Sequence, residues 1–430
     1  MTAARHDDRI SPDEVVQRAG TLLRLGRHEA AERELRGLLS RHPQHSTAHA
    51  ALALALIAGG AEQEALSEAH EAIRLDPGHY FSHLALGLVL KDTGRPQEAL
   101  EAARAALSLD HGKVDVWRLL ARLHAMLLEW RLAADAARQG LAVAPQDSTL
   151  ASLLGQALCV LEDGPAALAV TAEAVRLDPE SSSAHLVRGI ALLVFADAGE
   201  AAREFREVLR LDPGVDQARE LLVVALKRRN PVHRALSGMA SRFRGNPRLL
   251  LLLPVAPWLI LVIILVALLH WAMWVAETFV TLRMSRGAYT RLLLRRGEPR
   301  GALLCLWLLV SGTALLVLGV ALGHSPTGSA GVATLALVTP VQEALHAGSR
   351  LRHRILGGWA TALALVVPVA LALSATRPDH PDTTGVLMLT TYAALSSVWV
   401  AALVRRLSGG ATAPSRAGGA GRAAGAPGRT

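Results

Sequence analysis

Several things that would point to a particular protein class are scarce in this sequence. There are two cysteines in 430 residues, Cys159 in a helical pattern and Cys305 in an apolar run, so no disulfide framework is implied. No Gly-rich phosphate loop, G-x-S-x-G nucleophile elbow, HExxH or paired-carboxylate arrangement occurs. The chain therefore carries no signature of catalysis, and neither an enzymatic role nor a cofactor is expected. The amino terminus (MTAARHDDRISPDE) is polar and has no apolar core, so no cleaved secretory signal is expected. Acidic residues become rare in the second half. Residues 1–230 hold 26 Lys+Arg against 32 Asp+Glu, whereas residues 231–430 hold 19 against 5. The formal charge of +8 thus belongs to the second half, where arginines flank long apolar runs. Such charge is suited to anionic lipid headgroups and to setting topology, and nucleic acid is not the expected partner.

What is present in the first half is a period of 34 residues. Pro43, Pro77, Pro145, Pro179 and Pro213 fall on one grid, with His111 in the vacant slot. Ala31, Ala65, Ala99, Ala133, Ala167 and Ala201 hold a second column, and Ala19, Ala53, Gly87, Ala121, Gly155 and Gly189 a third. A fourth reads Leu22, Leu56, Leu90, His124, Leu158, Leu192. Small residues recurring with leucine mark the places where two antiparallel helices approach closely, and the proline ends each second helix. Gly26, Gly60 and Gly94 mark the turn inside the first three units, and Ser11-Pro12-Asp13-Glu14 reads as a helix start with a capping box.

This pattern resembles the tetratricopeptide-repeat (TPR) family, with its small residues at the eighth and twentieth positions and proline near the thirty-second. Trp117 stands at the fourth position, where the family favours tryptophan. Arg18 and Arg188 depart from the usual leucine at the seventh, which implies looser outer repeats. The resemblance covers residues 12–215 as six repeats and implies an all-α helical-hairpin solenoid whose groove binds a protein or peptide. Residues 216–229 read as a capping helix, so the solenoid domain is expected over 12–230, preceded by a tail at 1–11.

In a TPR solenoid the second, fifth, ninth, twelfth and thirteenth positions face the groove. Repeats one and two are apolar there (Val16, Leu23, Ala50, Leu54, Ile57), while repeats three to five offer Lys91, Asp92, Arg118, Arg122, Ser152 and Gln156. Lys91, Arg118 and Arg122 form a candidate basic patch for an acidic peptide; the plain alternative is solvated surface charge. A clamp built on groove asparagines is not expected, because Asn230 and Asn246 are the chain's two asparagines. His45 and His49 are four apart, as are His79 and His83, but the pairs repeat with the grid, so they are read as packing and loop residues and no metal site is expected.

After a basic linker (231–248) come apolar stretches that predict a polytopic transmembrane region at 249–407: 249–274, 301–323, 355–374 and 385–404, with 329–347 a weaker fifth. The tail 408–430 is Gly/Ala/Arg-rich and expected to be disordered. The apolar half also resembles, loosely, the region that follows TPRs in some bacterial membrane proteins of unassigned role, through HWAMWVAETFVTLRMSRGAYTRLLL; no activity comes with it. Positive charge gathers at 283–300, 350–354 and from Arg405, which makes these loops cytoplasmic if 329–347 also crosses. A single crossing at 249–274 would leave the repeats outside. Pro254 and Pro257 permit a broken or re-entrant helix instead, and a cytoplasmic solenoid is favoured. Glu277, Glu343 and His346 are ionisable residues near membrane depth and so candidates for a role there. The expected protein is a scaffold in the inner (plasma) membrane that recruits a protein or peptide, with no small-molecule substrate evident; the rival is a transporter or intramembrane enzyme with a regulatory TPR arm.

Overall fold

The computed structural model describes residues 11–229, 259–286, 297–347, 349–376 and 382–407. Among the described residues are twenty helices and no strand. They divide after Val215 into two units.

The first unit is six helical hairpins: α1 (Pro12–Arg24) with α2 (His28–Leu39), α3 (Ser46–Ala58) with α4 (Glu62–Leu75), α5 (Tyr80–Asp92) with α6 (Pro96–Leu109), α7 (Val114–Met126) with α8 (Trp130–Val143), α9 (Ser148–Val160) with α10 (Gly164–Leu177), and α11 (Ser182–Phe195) with α12 (Ala198–Leu211). The first begins with the expected capping box: the Glu14 amide donates to the Ser11 hydroxyl and the Glu14 carboxylate takes the Ser11 amide. The small columns are the close-contact points. Ala19, Ala53 and Ala121, and Ala31, Ala65, Ala99, Ala167 and Ala201, are wholly buried. Where the column is glycine, a methyl group would not fit: a Cβ on Gly87 would lie 2.9 Å from Leu119, and one on Gly189 2.6 Å from the ring of Phe205. Burial of these faces against the next hairpin produces a core that runs from repeat to repeat rather than through one centre.

The turns inside the hairpins share one backbone form. Gly26, Gly60 and Gly94 have φ of 72°, 85° and 75°, and at the same grid position Leu128 and Glu162 adopt 63° and 61°. In each, an amide after the turn bonds back to a carbonyl of the last helical turn: Arg27 to Leu22, Glu129 to His124, Asp163 to Leu158. The arginines at the seventh position of the outer repeats are tied down rather than loose. Arg18 bonds Glu34 at 2.7 Å and Arg188 bonds Glu204 at 3.1 Å, each on the second helix of its own repeat.

The helix expected over 216–229 is α13 (Asp216–Arg228), which groups with the second unit. That unit continues with α14 (Leu259–Arg286), α15 (Glu298–Ala321), α16 (Ser325–Ala336), α17 (Val338–Leu345), α18 (Arg350–Thr376), α19 (Asp382–Leu395) and α20 (Ser397–Leu407). Three segments are long and apolar enough to cross a membrane, Ile264–Arg286, Glu298–Ala321 and Leu351–Thr376, and a fourth if α19 and α20 are taken together across their 46° bend. The first apolar helix therefore runs twelve residues past the expected end at 274; residues 249–258, the linker 231–248, most of the 283–300 loop and the tails lie outside the described residues.

The stretch 329–347 is not one helix. It breaks at Leu337 into α16 and α17, and Pro340, in the first turn of α17, explains the break, because its ring would clash with the Ala336 carbonyl of a continuous helix. The bend between α19 and α20 has a different cause: the Ser396 and Ser397 hydroxyls both bond the Ala393 carbonyl. The broken pair α16–α17 runs antiparallel to α15 along nearly its whole length. Gly319 meets Gly328 near one end, Gly312 packs against Leu335, and Gly301 packs against Leu345 at the other end. Glycines on both sides let the backbones approach, as in membrane helix pairs.

Candidate functional site

The first helices of successive repeats pack on one another, α1 on α3, α3 on α5, α5 on α7, α7 on α9 and α9 on α11. They form the inner layer of the stack, so the candidate groove residues lie on this layer. In the first two repeats Val16, Leu23, Leu54 and Ile57 are half-buried, while Ala50 is fully buried among Ala72 and Ala85 and belongs to the core.

The three cations of the expected basic patch are not equivalent. Lys91 is only 14% exposed, and its ammonium lies 2.5 Å from the neighbouring carboxylate of Asp92. Arg118 is spanned by two carboxylates: its Nη1 donates to Asp115 at 2.6 Å and its Nε to Asp147 at 2.7 Å. Burial opposes the charge on Arg118, but the bonds to Asp147 and Asp115 outweigh it and raise its pKa further. Asp147 is itself 3% exposed and also caps α9, accepting from the Leu150 amide at 2.8 Å. Arg118 thus joins repeat four to the start of repeat five. Arg122, one turn along α7, is exposed and has no ion pair among the described residues.

Ser152 is buried, with a hydroxyl that has no hydrogen-bond partner among the described residues, and Gln156 is half-buried a turn later. Arg122, Gln156 and Ile190 share one grid position on the inner layer. The position four residues on is held by Met126, Val160 and Val194, which are 46%, 38% and 39% exposed. The inner face of repeats four to six is therefore an apolar stripe beside the exposed guanidinium of Arg122. Cys159, next to this stripe, is buried, and burial pushes its thiol up to about 11, which makes it a poor nucleophile.

The histidine columns have a direct structural explanation. The ring nitrogen at the fourth position of a repeat bonds the carbonyl six residues earlier, at the proline grid position: His49 to Pro43 at 2.9 Å, His83 to Pro77 at 3.0 Å, His185 to Pro179 at 2.9 Å, and Trp117 to His111 at 2.9 Å. The second ring nitrogens of His49 and His185 meet Glu68 and Glu204 at 2.5 and 2.6 Å. These rings pin the turn between repeats, which sequence spacing alone could signal only as repetition. His45 caps α3, its Nδ1 accepting from the Ala48 amide. Among the described residues no group of three or more His, Cys, Asp or Glu is arranged to hold a metal ion.

In the second unit Glu277 is 2.6 Å from Lys227 of α13, and both side chains are nearly buried. Gln342 donates to the Thr278 hydroxyl at 3.0 Å, and the buried Cys305 lies against both; Glu343 is also buried. His346 stands 4.9 Å from the ring of Trp274, and its Nδ1 bonds the Gln342 carbonyl.

Hairpins of this length, repeat and packing define a TPR solenoid. Models of the tetratricopeptide repeat match residues 17–80 and 152–216, and a second such model matches 82–111. The N-terminal part of the chain is thus built of tetratricopeptide repeats, a fold for binding proteins or peptides. No curated protein matches the chain. Among solved structures it is similar to TTC0263, a TPR protein of Thermus thermophilus, at 20% identity over 43% of this chain and 100% of that one, with a TM-score of 0.38. It is similar to Pseudomonas aeruginosa pilF at 21% identity over 49% and 95%, with a TM-score of 0.42. A third, YrrB, described as a TPR protein with an unusual peptide-binding site, is 17% identical over 43% and 95%, with a TM-score of 0.35.

Proposed function

We propose that the protein is a membrane-anchored scaffold: the TPR groove captures a protein or peptide, and the apolar half, multi-pass in the inner (plasma) membrane, holds the captured partner there with the solenoid in the cytoplasm. The observation that carries the reading is the inner face of repeats four to six, where Met126, Val160 and Val194 expose apolar surface next to the exposed Arg122. A ligand with apolar side chains and one carboxylate fits that surface, since apolar contact supplies affinity and a guanidinium fixes a carboxylate's position. Arg118 and Lys91 contribute less directly, because their charge is met by Asp147, Asp115 and Asp92. Three to four helices of membrane-spanning length support the anchoring.

The test is capture of partners from membrane extract by the wild type and by Arg122→Glu, with Arg138→Glu on α8 as a control. Reversal at Arg122 is expected to weaken capture on the order of tenfold or more, with an unchanged melting temperature, while the control captures normally. Equal recovery by all three would remove the groove cation from the account.

A further inference from the structure

The contacts around α17 fix how α14 and α15 lie against each other. The Trp271 indole donates to the Leu335 carbonyl at 2.8 Å and Gln342 to Thr278 at 3.0 Å, so α14 runs parallel to α16–α17. α15 runs antiparallel to the same pair, with Gly301 against Leu345, and it packs directly on α14. The Cys305 thiol meets Thr278 and Gln342, which puts Cys305 of α15 level with Thr278 of α14. Arg283 is five residues past Thr278, and Arg300 is five residues before Cys305. In antiparallel helices both arginines are then displaced the same way from that level, by about 7.5 Å. Phe279 and Leu304 repeat the match toward the helix middles, each four residues from its arginine and so on the same helix face. They are 55% and 51% exposed, and Trp307, beyond Leu304, is 73% exposed. On α14 the exposed face runs through Leu261, Leu265, Leu268 and Phe279 and ends in the exposed Arg283 and Arg286.

Elsewhere the chain pairs such arginines. Arg74, Arg138, Arg176 and Arg210 of the repeats each hold a carboxylate three residues away. Arg283, Arg286 and the exposed Arg300 have no ion pair among the described residues. Of the carboxylates close to them in sequence, Glu277 is taken by Lys227, and Glu298 is the one that remains against three cations. Cations that end a hydrocarbon-facing stripe meet the headgroup layer, where lipid phosphate is the available counter-ion. A guanidinium holds a phosphate by two parallel hydrogen bonds, and a zwitterionic headgroup already neutralises its phosphate with its own ammonium. We infer that the outer faces of α14 and α15 hold an anionic phospholipid, with its phosphate at Arg283 and Arg300 and its acyl chains along Phe279, Leu304 and Trp307. This rests on the reading of α14 and α15 as membrane spans.

The experiment reconstitutes the full chain in vesicles of phosphatidylcholine with a minor share of phosphatidylglycerol. An equal amount of brominated lipid is introduced as one or the other species. Bromine quenches tryptophan on contact, and the part of the quenching that Trp307→Phe removes reports the acyl chains beside Trp307. That part is expected to be larger with brominated phosphatidylglycerol, corresponding to an enrichment on the order of fivefold or more at the site. Arg283→Gln with Arg300→Gln should make the two lipids quench alike, while Arg354→Gln on α18 leaves the preference intact. Inorganic phosphate, added at constant ionic strength, should also leave it intact. Equal quenching of the wild type by both lipids would overturn the lipid site and leave the spans standing. A preference lost equally in Arg354→Gln would show diffuse charge in place of a site, and one lost to inorganic phosphate would show a site for a free anion. No quenching through Trp307 by either lipid would overturn the membrane reading and this inference with it.

Discussion

Leu128 and Glu162 sit in the left-handed backbone region that Gly26, Gly60 and Gly94 occupy at the same turn of earlier repeats. A side chain there costs about 1 kcal/mol or somewhat more. Leu128 is 69% exposed, so its removal sacrifices little burial. Leu128→Gly and Glu162→Gly are therefore expected to stabilise the repeats by about 1 kcal/mol each, measured by urea unfolding, whereas Gly60→Ala should cost a similar amount. This turn was legible in the sequence only where glycine announced it. In repeats four and five the hairpin geometry imposes the conformation on residues that give no local sign of it. The fourth-position rings were legible as a column, but their purpose was not, because the acceptor is a backbone carbonyl, which every residue has. Arg122 and Arg118 read alike in sequence. The carboxylate that separates them, Asp147, lies 29 residues from Arg118 and comes to it only when the repeats stack.

Elements carry the same lesson at longer range. The boundaries of α1 to α12 follow the 34-residue grid because each column reports a contact that every hairpin must make. Asp147 does two jobs at the start of α9, holding the Leu150 amide and the Arg118 guanidinium. Asp147→Ala should lose the cap, at about 1–2 kcal/mol, and leave Arg118 without its buried partner. Asp147→Asn should keep most of the cap and lose only the charge pair, which is worth less because Arg118 is 40% exposed. Thermal melts of the two variants separate the contributions, and equal destabilisation would show that the ion pair, not the cap, dominates. In the apolar half, by contrast, the long helices α14 and α15 are apolar on every side over most of their length and give no periodic signal of which face packs. Pro340 could have announced the break at Leu337, since proline ends a helix four residues behind it. The bend at Ser396 has no such marker, and the glycine contacts between α15 and α16 depend on a pairing that one sequence does not state.

At the scale of the whole molecule, a repeat solenoid that closes its own contacts hairpin by hairpin is joined to helices that expose apolar side chains such as Leu261, Trp307, Val320 and Leu389, each over 70% of its surface. Surfaces of that kind need hydrocarbon around them. The full chain should therefore remain in the membrane pellet through high-salt and carbonate washes and leave it only with detergent; extraction by salt alone would mean that charge, not burial of the spans, holds it there. The central claim is that one half chooses the partner and the other half chooses the place. It is tested most directly by crosslinking captured partners in cells that express either the full chain or residues 1–229 and then separating membrane from soluble material. The account predicts the same partner in both, in the membrane pellet with the full chain and in the soluble fraction with the repeats alone. Capture by the full chain of a partner that the repeats alone never bind would contradict it.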